Sequence, residues 1–404
     1  MSTSFLYHTC GIRGYEYRST EQLCGTTFVR IVQPRQKLRC PRCGSAEVSV
    51  RGSVPRVFRS VPIGSKPVSI ALDVPRVECP RCGITRQVRV GFADEYRRHT
   101  RAFARYALEL TRLATIQDVA HHLGVGWDLV KDLKKTDLAR RFRKPKLRHL
   151  KRLAIDELCI GRGRRFRTLV LDLDTGAIVF VGQGKGADAL TPFWKRLHSS
   201  RARIQAVAAD LSPAYTQAVR EHLPQATLVY DRFHVVKLFN EKLSDLRREL
   251  YREATERLDK QVLKGTRWLL LKNPENLDNA RGERRRLDEA LALNQSLATA
   301  YYLKEDLRQF WEQADWWSAD RFLTHWIHAA ESSGIRLLQT FARTLAIHRR
   351  GLLAWYTHPI STGPLEGTNN KIRALTRQAY GFRDQDYFIL QLYALHATRL
   401  LLVG

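Results

Sequence analysis

The sequence predicts a multidomain α/β chain: a cysteine-stapled ribbon, a helix-turn-helix, and a mixed-sheet core into which an all-helical segment is inserted. Three observations predict it. The knuckle Cys-Pro-Arg-Cys-Gly occurs twice, at Cys40 to Gly44 and Cys79 to Gly83. Five short apolar segments between Leu153 and Tyr230 are spaced as strands, and from about His234 to Ala354 the apolar periodicity is helical. At 404 residues and 44% hydrophobic composition the chain can bury substantial cores and exceeds one ordinary domain. The segments expected are 1–95, 96–150, 151–233, 234–355 and 356–404. Lys and Arg total 68 against 40 acidic residues, a formal charge of +28 that favours a polyanionic partner, nucleic acid first. No apolar run of about 18 residues and no signal-like segment is present, so a membrane-spanning chain is not expected and a soluble, cytoplasmic one is.

In the ribbon, each knuckle's Pro restrains the backbone and its Gly permits the tight turn after the second thiolate. Cys40, Cys43, Cys79 and Cys82 are thereby placed to close a tetrahedral Zn²⁺ site, structural because no position stays open. Seven cysteines would leave one unpaired in a disulfide scheme, and Cys10 and Cys24 lack the pattern. Alternating segments at Val54 to Phe58 and Val68 to Leu72 predict short strands between the knuckles.

After Tyr96 the composition turns helical, and Thr115 to Leu133 has helix-turn-helix spacing. Small Ala120 lets two helices approach, Gly124 allows the turn, and Val130 with Leu133 buries the second helix. Trp127, Asp128, Lys131 and Lys134 are then expected to face outward toward a DNA groove. A basic connector follows around Pro145, with Arg141, Arg143 and Lys144 among its cations, suited to tracking phosphates without reading sequence.

The core is expected to begin with a three-strand meander, Leu153 to Ile160, Phe166 to Leu173 and Ala177 to Val181, joined by turns at Gly161 to Arg165 and Asp174 to Gly176. A helix from about Ala187 to His198, a strand Ile204 to Ala209, a helix starting at Ser212-Pro213, and a strand Thr227 to Tyr230 complete it. That order matches ribonuclease H topology, in which the first and fourth strands are neighbours. Asp156 within the first and Asp210 at the end of the fourth can then share one metal pair, while Glu157 points to the opposite face. A carboxylate in such a place needs solvent, hydrogen bonds or a cation.

Beyond the core, Val235, Leu238, Phe239, Leu243, Leu246 and Leu250 mark one apolar stripe of the insertion, and Leu287 to Phe310 continue it. Its tryptophans, Trp268, Trp311, Trp316, Trp317, Trp326 and Trp355, are expected in the core, with base stacking by Trp316 or Trp317 as the alternative. The chain returns with a helix begun by Gly363 and Pro364. Helical spacing puts Glu366, Asn370, Arg373 and Arg377 on one face and Leu365, Ile372 and Leu375 largely on another. A carboxylate followed by an amide and guanidiniums, with Lys371 beside them, suits a surface that binds a metal at one end and phosphates beyond it.

The block Pro364 to Arg383, with Asp231-Arg-Phe-His-Val-Val-Lys237 and Ile155-Asp-Glu157, resembles the ISL-three family of bacterial insertion-sequence transposases, from the ribbon near Cys40 to the C-terminus. The resemblance implies a DDE transposase with a ribonuclease H-like core and carries its catalytic triad onto Asp156, Asp210 and Glu366. It further implies two Mg²⁺ or Mn²⁺ ions there, and partners that are the terminal inverted repeats and the target DNA. A homodimer or higher assembly on DNA is implied as well. Asp231 and His234 resemble a Cys/Asp-x-x-His string that supports such sites. Two other readings stay open: a sequence-specific DNA-binding regulator on a non-catalytic ribonuclease H-like scaffold, and a junction-resolving nuclease that joins no ends.

Overall fold

The computed structural model describes residues 3–160, 165–255 and 257–396. The chain divides into two compact units at Arg141 and Phe142. Most of the turn expected at Gly161 to Arg165, and the last eight residues of the segment expected over 356–404, lie outside the described residues.

The first unit runs α1 (Thr3–Cys10), β1 (Glu16–Leu23), β2 (Thr26–Val32), β3 (Ser49–Ile63), β4 (Lys66–Glu78), β5 (Thr85–Gln87), α2 (Arg101–Leu110), α3 (Ile116–Leu123) and α4 (Trp127–Phe142). Its sheet has the order β1-β2-β4-β3, with β5 on β4. The structure corrects the expectation of two short strands, because β3 and β4 form one long antiparallel hairpin and β1, β2 and α1 add to it. The polar run of β1 has no buried face, and the β3 register shifts between Val50 and Ser53, where Gly52 takes φ +103°. A bulge of this kind breaks the period-two pattern on which a strand is recognised. Val68, Ile70, Leu72 and Val74 of β4 are buried with Phe58 and Val29 as this unit's core.

Its helices hold to their local chemistry. Thr115 and Asp118 form a capping box at the start of α3, and Gly124 closes it at φ +60°, a conformation that a Cβ disfavours. Ala120, Val130 and Leu133 are buried. Trp127 is exposed, with the Lys131 ammonium 5.1 Å above its ring. Lys134 does not face outward as expected: its ammonium donates to the Thr111 carbonyl at 3.4 Å, just past the end of α2, and burial pushes its pKa down.

The second unit begins with β6 (Arg152–Cys159), β7 (Phe166–Asp172), β8 (Ile178–Gln183), α5 (Thr191–Ser200), β9 (Ala206–Ala209), α6 (Pro213–His222) and β10 (Thr227–Tyr230). The sheet order is β10-β9-β6-β7-β8, with β6, β7 and β8 an antiparallel meander and β9 parallel to both β6 and β10. On one face Leu153, Ile155 and Val170 pack with Phe193 and Trp194 of α5 and Tyr215 of α6. On the other, Ala154, Leu158 and Leu169 pack with Leu365 and Ile372 of α13 (Gly363–Gln378) and Phe388 and Leu392 of α14 (Gln385–Tyr393). Strand alternation therefore sends Asp156 toward α13 and Glu157 toward α6. Glu157 indeed accepts from the Tyr215 hydroxyl at 2.8 Å.

Among the described residues, six α-helices lie between β10 and α13: α7 (Arg232–Glu253), α8 (Arg257–Gly265), α9 (Glu283–Leu293), α10 (Gln295–Arg308), α11 (Trp316–Ser332) and α12 (Arg336–Leu353). Val235, Phe239, Leu243 and Leu246 of the expected stripe are buried, together with Leu287, Leu291, Leu297, Leu303, Leu307 and Phe310. The helical body rests on the sheet where α12 crosses β10. A Cβ at Gly351 would lie 2.4 Å from the Tyr230 ring, so only glycine permits that approach. Core placement holds for Trp311 and Trp326 and fails for Trp268, Trp316 and Trp317, which are exposed. Helix ends and short connectors carry these three, where sequence periodicity has no purchase.

Candidate active site

Asp156, Asp210, Asp231 and His234 meet at one end of the sheet. Asp156 sits within β6, Asp210 directly follows β9, and Asp231 directly follows β10. The register pairs Ala154 with Ala208, so Asp156 and Asp210 fall level on adjacent parallel strands. Asp210 Oδ1 accepts from the Ser212 N–H at 3.0 Å, and Asp156 Oδ1 accepts from the Glu157 N–H at 2.7 Å. Burial raises the pKa of Asp156, against the Glu157 N–H, and Asp210's negative charge adds to the rise. Burial likewise raises Asp210, with Glu157 adding to it. Two acids held half-buried and reluctant to ionise are a poor solution for stability alone and a ready site for a cation.

Asp231 and His234 organise the surroundings. Asp231 is 1% exposed and accepts from the Thr362 N–H at 2.9 Å and from His234 Nδ1 at 3.2 Å. Burial opposes its charge, yet these hydrogen bonds prevail and its pKa is lowered. Thr362 immediately precedes α13, so this buried carboxylate ties the start of that helix to the end of β10. His234 turns its other nitrogen, Nε2, to Asp156 Oδ1 at 3.7 Å. Burial would lower His234, but the Asp231 hydrogen bond and the charges of Asp156, Asp231 and Asp210 together raise it.

From α13 the residue that reaches the aspartates is Asn369, whose Nδ2 donates to Asp156 Oδ2 at 3.0 Å. Its Oδ1 is buried with no hydrogen-bond partner. An oxygen left in that state beside two carboxylates suits a hard, oxygen-seeking cation such as Mg²⁺ or Mn²⁺. Glu366, three residues earlier, is exposed, and its side chain makes no hydrogen bond or ion pair with a described residue. The structure thus brings Asp156, Asp210, Asp231 and His234 together, and leaves Glu366 one turn away on the same helix. Among the described residues, only the four cysteines form a close cluster of metal-ligating atoms. Asn369 and Thr362 are not among the residues that the sequence singles out; the i+3 spacing from Glu366 is the signal for Asn369, whereas the amide expected on that face is Asn370 at i+4.

The ligand atoms of Cys40, Cys43, Cys79 and Cys82 all lie within 4.8 Å of one another. The Sγ separations Cys40 to Cys82 and Cys43 to Cys79 are 3.5 and 3.6 Å. Tetrahedral Zn²⁺ with thiolates at about 2.3 Å would set sulfurs roughly 3.8 Å apart, so the cluster fits that ion closely. Backbone donation from Cys43 lowers the Cys40 thiol to about 6, while desolvation and the neighbouring sulfurs push Cys82 up to about 12.

Comparison with known proteins identifies the domains in which these two clusters lie. Residues 153–392 match the ISL3-type DDE transposase domain, described as transposase. The chain belongs to the ISL3 family of transposases. Residues 88–133 match the helix-turn-helix domain of that family, and residues 36–82 match the zinc-finger of transposases IS204/IS1001/IS1096/IS1165. The chain is 35% identical over 375 residues to the transposase for insertion sequence element IS1001 of Bordetella parapertussis, covering 92% of each chain. It is 30% identical over 407 residues to the transposase for insertion sequence element IS1557 of Mycobacterium tuberculosis, covering 94% of this chain and 90% of that one. The Drosophila P element transposase strand transfer complex gives a TM-score of 0.40 at 11% identity over 73% of this chain and 91% of its own, too slight a likeness to bear on the assignment. The protein is a DDE transposase that binds DNA, and a regulator on an inert scaffold is not favoured.

In this ISL3 transposase the sequence-expected DNA-facing residues are distributed as follows. Arg141 is exposed in the last turn of α4, ion-paired with Asp137, and Arg143 and Lys144 are exposed just after that helix. Asn370, Lys371, Arg373 and Arg377 are exposed along α13, with Arg373 donating to Asn370 Oδ1 at 3.0 Å. Arg373 and Arg377 line a groove of about 570 Å³ with Leu158, Cys159 and Ile372, at the end of β6 beyond Asp156. No helix among the described residues is long and apolar enough to cross a membrane.

Proposed function

We propose that this transposase binds the terminal inverted repeats of its own insertion sequence and performs metal-dependent strand cleavage and strand transfer, with Asp156, Asp210 and Glu366 as its metal-holding triad. The observation that carries this reading is the pair of half-buried aspartates on adjacent parallel strands, both resisting ionisation and both facing the element that bears Glu366. Asp156, Asp210 and Glu366 would hold two Mg²⁺ or Mn²⁺ ions there, which would supply activation of water, or later of a DNA 3′-hydroxyl, and charge stabilisation for the leaving oxygen of an in-line displacement. Asp156, hydrogen-bonded by Asn369 and the Glu157 N–H, is held so that its oxygens address the space beside Asp210. Asp231, through the Thr362 N–H, fixes the start of α13 and so sets the reach of Glu366. His234, set between Asp231 and Asp156, orients the carboxylates of the site.

The segments take separate parts in this reading. Cys40, Cys43, Cys79 and Cys82 hold one structural Zn²⁺ that closes the ribbon of 1–95. The helix-turn-helix and linker of 96–150 present Trp127 and Lys131 to DNA, with Lys134 supporting the helix from within, and Arg141, Arg143 and Lys144 follow phosphates. Asn370, Lys371, Arg373 and Arg377 hold the backbone next to the cut. The ribonuclease H-like core comprises 151–233 and 356–404, interrupted by the insertion 234–355. Synapsis of two ends calls for a homodimer or larger assembly on DNA, within the bacterial cytoplasm. Purified protein incubated with labelled DNA carrying the gene's own flanks tests the reading. Cleavage to 3′-hydroxyl ends and joining to target, both requiring Mg²⁺, are expected. Sequence-specific binding with no cutting under any divalent ion contradicts it, and cutting without joining points to a nuclease.

A further inference from the structure

At the N-terminal ends of β6 and β9, opposite the end where Asp210 lies, the second unit has a cleft of about 1050 Å³. Arg148, Lys151, Arg152, Arg201, Arg203 and His358 line it. Asp174 is its one acidic lining residue and is paired with Arg152. Arg148, Lys151, Arg201 and Arg203 are exposed and make no ion pair or side-chain hydrogen bond with a described residue. Like charges gathered this way repel in the free protein, and a concave wall concentrates their field.

A second, independent feature lies in the backbone. Arg201 ends α5 at φ +59° and ψ +23°, the left-handed conformation for which glycine is the usual residue at a helix terminus. A β-carbon is disfavoured there, and the residue that takes this conformation is an arginine lining the cleft. From Gln205 on the cleft wall to Asp210 the strand spans roughly 16 Å at about 3.3 Å per residue, so the cleft and the carboxylates are separate places on one sheet.

We propose that this cleft is a second binding site for double-stranded DNA, which contacts the phosphate backbone without reading sequence and lies apart from the catalytic carboxylates. The occupant is duplex DNA because the chain is a DNA-binding transposase and the cleft offers several unpaired cations rather than a closed pocket for one small anion. Guanidiniums match phosphate oxygens in pairs, and each contact releases condensed counterions. The proposal rests on DNA binding by this protein but not on its cutting chemistry, so the test reads contact alone.

The full chain, titrated onto a duplex of unrelated sequence over a range of NaCl concentrations, gives the slope of log K against log salt. The triple variant Arg148→Gln, Arg201→Gly, Arg203→Gln is expected to flatten that slope by about two to three, at about 0.9 per lost phosphate contact. A control that neutralises Arg284 and Arg285, which are ion-paired with Asp288 and Glu289 on α9, is expected to change it much less. Arg201→Gly alone separates the structural role from the binding role: its thermal transition is expected to stay or rise while its affinity falls. An unchanged slope in the triple variant, an equal loss per charge in the control, or full affinity in Arg201→Gly would each overturn the proposal. Cleavage of insertion-sequence ends by these variants is a separate readout and decides nothing about the cleft.

Discussion

Asp210 is asked to be an anion where burial resists it. Replacing it with Asn removes the resisted charge and keeps an oxygen for the Ser212 N–H. Asp210→Asn is therefore expected to melt no lower than the parent in chelator, by calorimetry, whereas saturating Mg²⁺ at about 100 times its dissociation constant should stabilise the parent by about 2.7 kcal/mol and the variant far less. A lower melting point in chelator would show that the aspartate is structural. His234 gives a pH dependence of the opposite kind. Its folded pKa lies above the ordinary 6.5, so its stabilisation is fully present below that value and fades as pH rises through the folded one. Asp231, whose pKa is lowered, stays ionised throughout that window. The stability deficit of His234→Asn, from urea unfolding, should accordingly be larger near about pH 6 than near about pH 9. An equal deficit at both would remove charge from the account of His234.

At the scale of elements, the join between the insertion and the core rests on the absence of one methyl group. Gly351→Ala places a Cβ against the Tyr230 ring, and overpacking of this kind costs about 1–3 kcal/mol. Chemical denaturation should register that loss, and a neutral substitution would mean that α12 and β10 can separate freely. The five core strands are legible in the sequence because each is short, apolar and bounded by turn residues, and their order alone sets Asp156 beside Asp210. Strand β1 was not legible, because EYRSTEQL buries nothing and alternation needs a buried face to be seen. For α13 the buried side was foreseen through Leu365 and Ile372, yet the amide facing Asp156 proved to be Asn369 rather than Asn370. Helical spacing alone leaves i+3 and i+4 equally eligible, and only the packing of Thr368 and Asn369 against the sheet decides between them. Lys134 shows the same limit: a lysine next to a helix-turn-helix reads as a DNA contact until a neighbouring carbonyl claims it.

Taken as a whole molecule, the protein has two units with different sources of stability. The first has a sheet core and a cluster of four thiols. The second buries its sheet between two helical layers and carries a separate helical core. Chelation, or Cys43→Ser, should therefore release one zinc per chain and lower the melting of the first unit while leaving that of the second in place, as read by metal analysis and calorimetry. A single transition that falls as one would contradict that separation. At the catalytic centre, Asp156, Asp210 and Glu366 are proposed to hold the ions at which DNA is cut. The measurement that tests it most directly is single-turnover cleavage of an insertion-sequence end in Mg²⁺ by the parent and by Asp156→Asn, Asp210→Asn and Glu366→Gln, each first shown to bind the end with parental affinity. The account predicts losses of roughly a thousandfold or more in all three, the scale of a missing catalytic group. Parental cleavage by any one of them would remove that residue from the triad, and parental cleavage by Asp156→Asn would contradict the site itself.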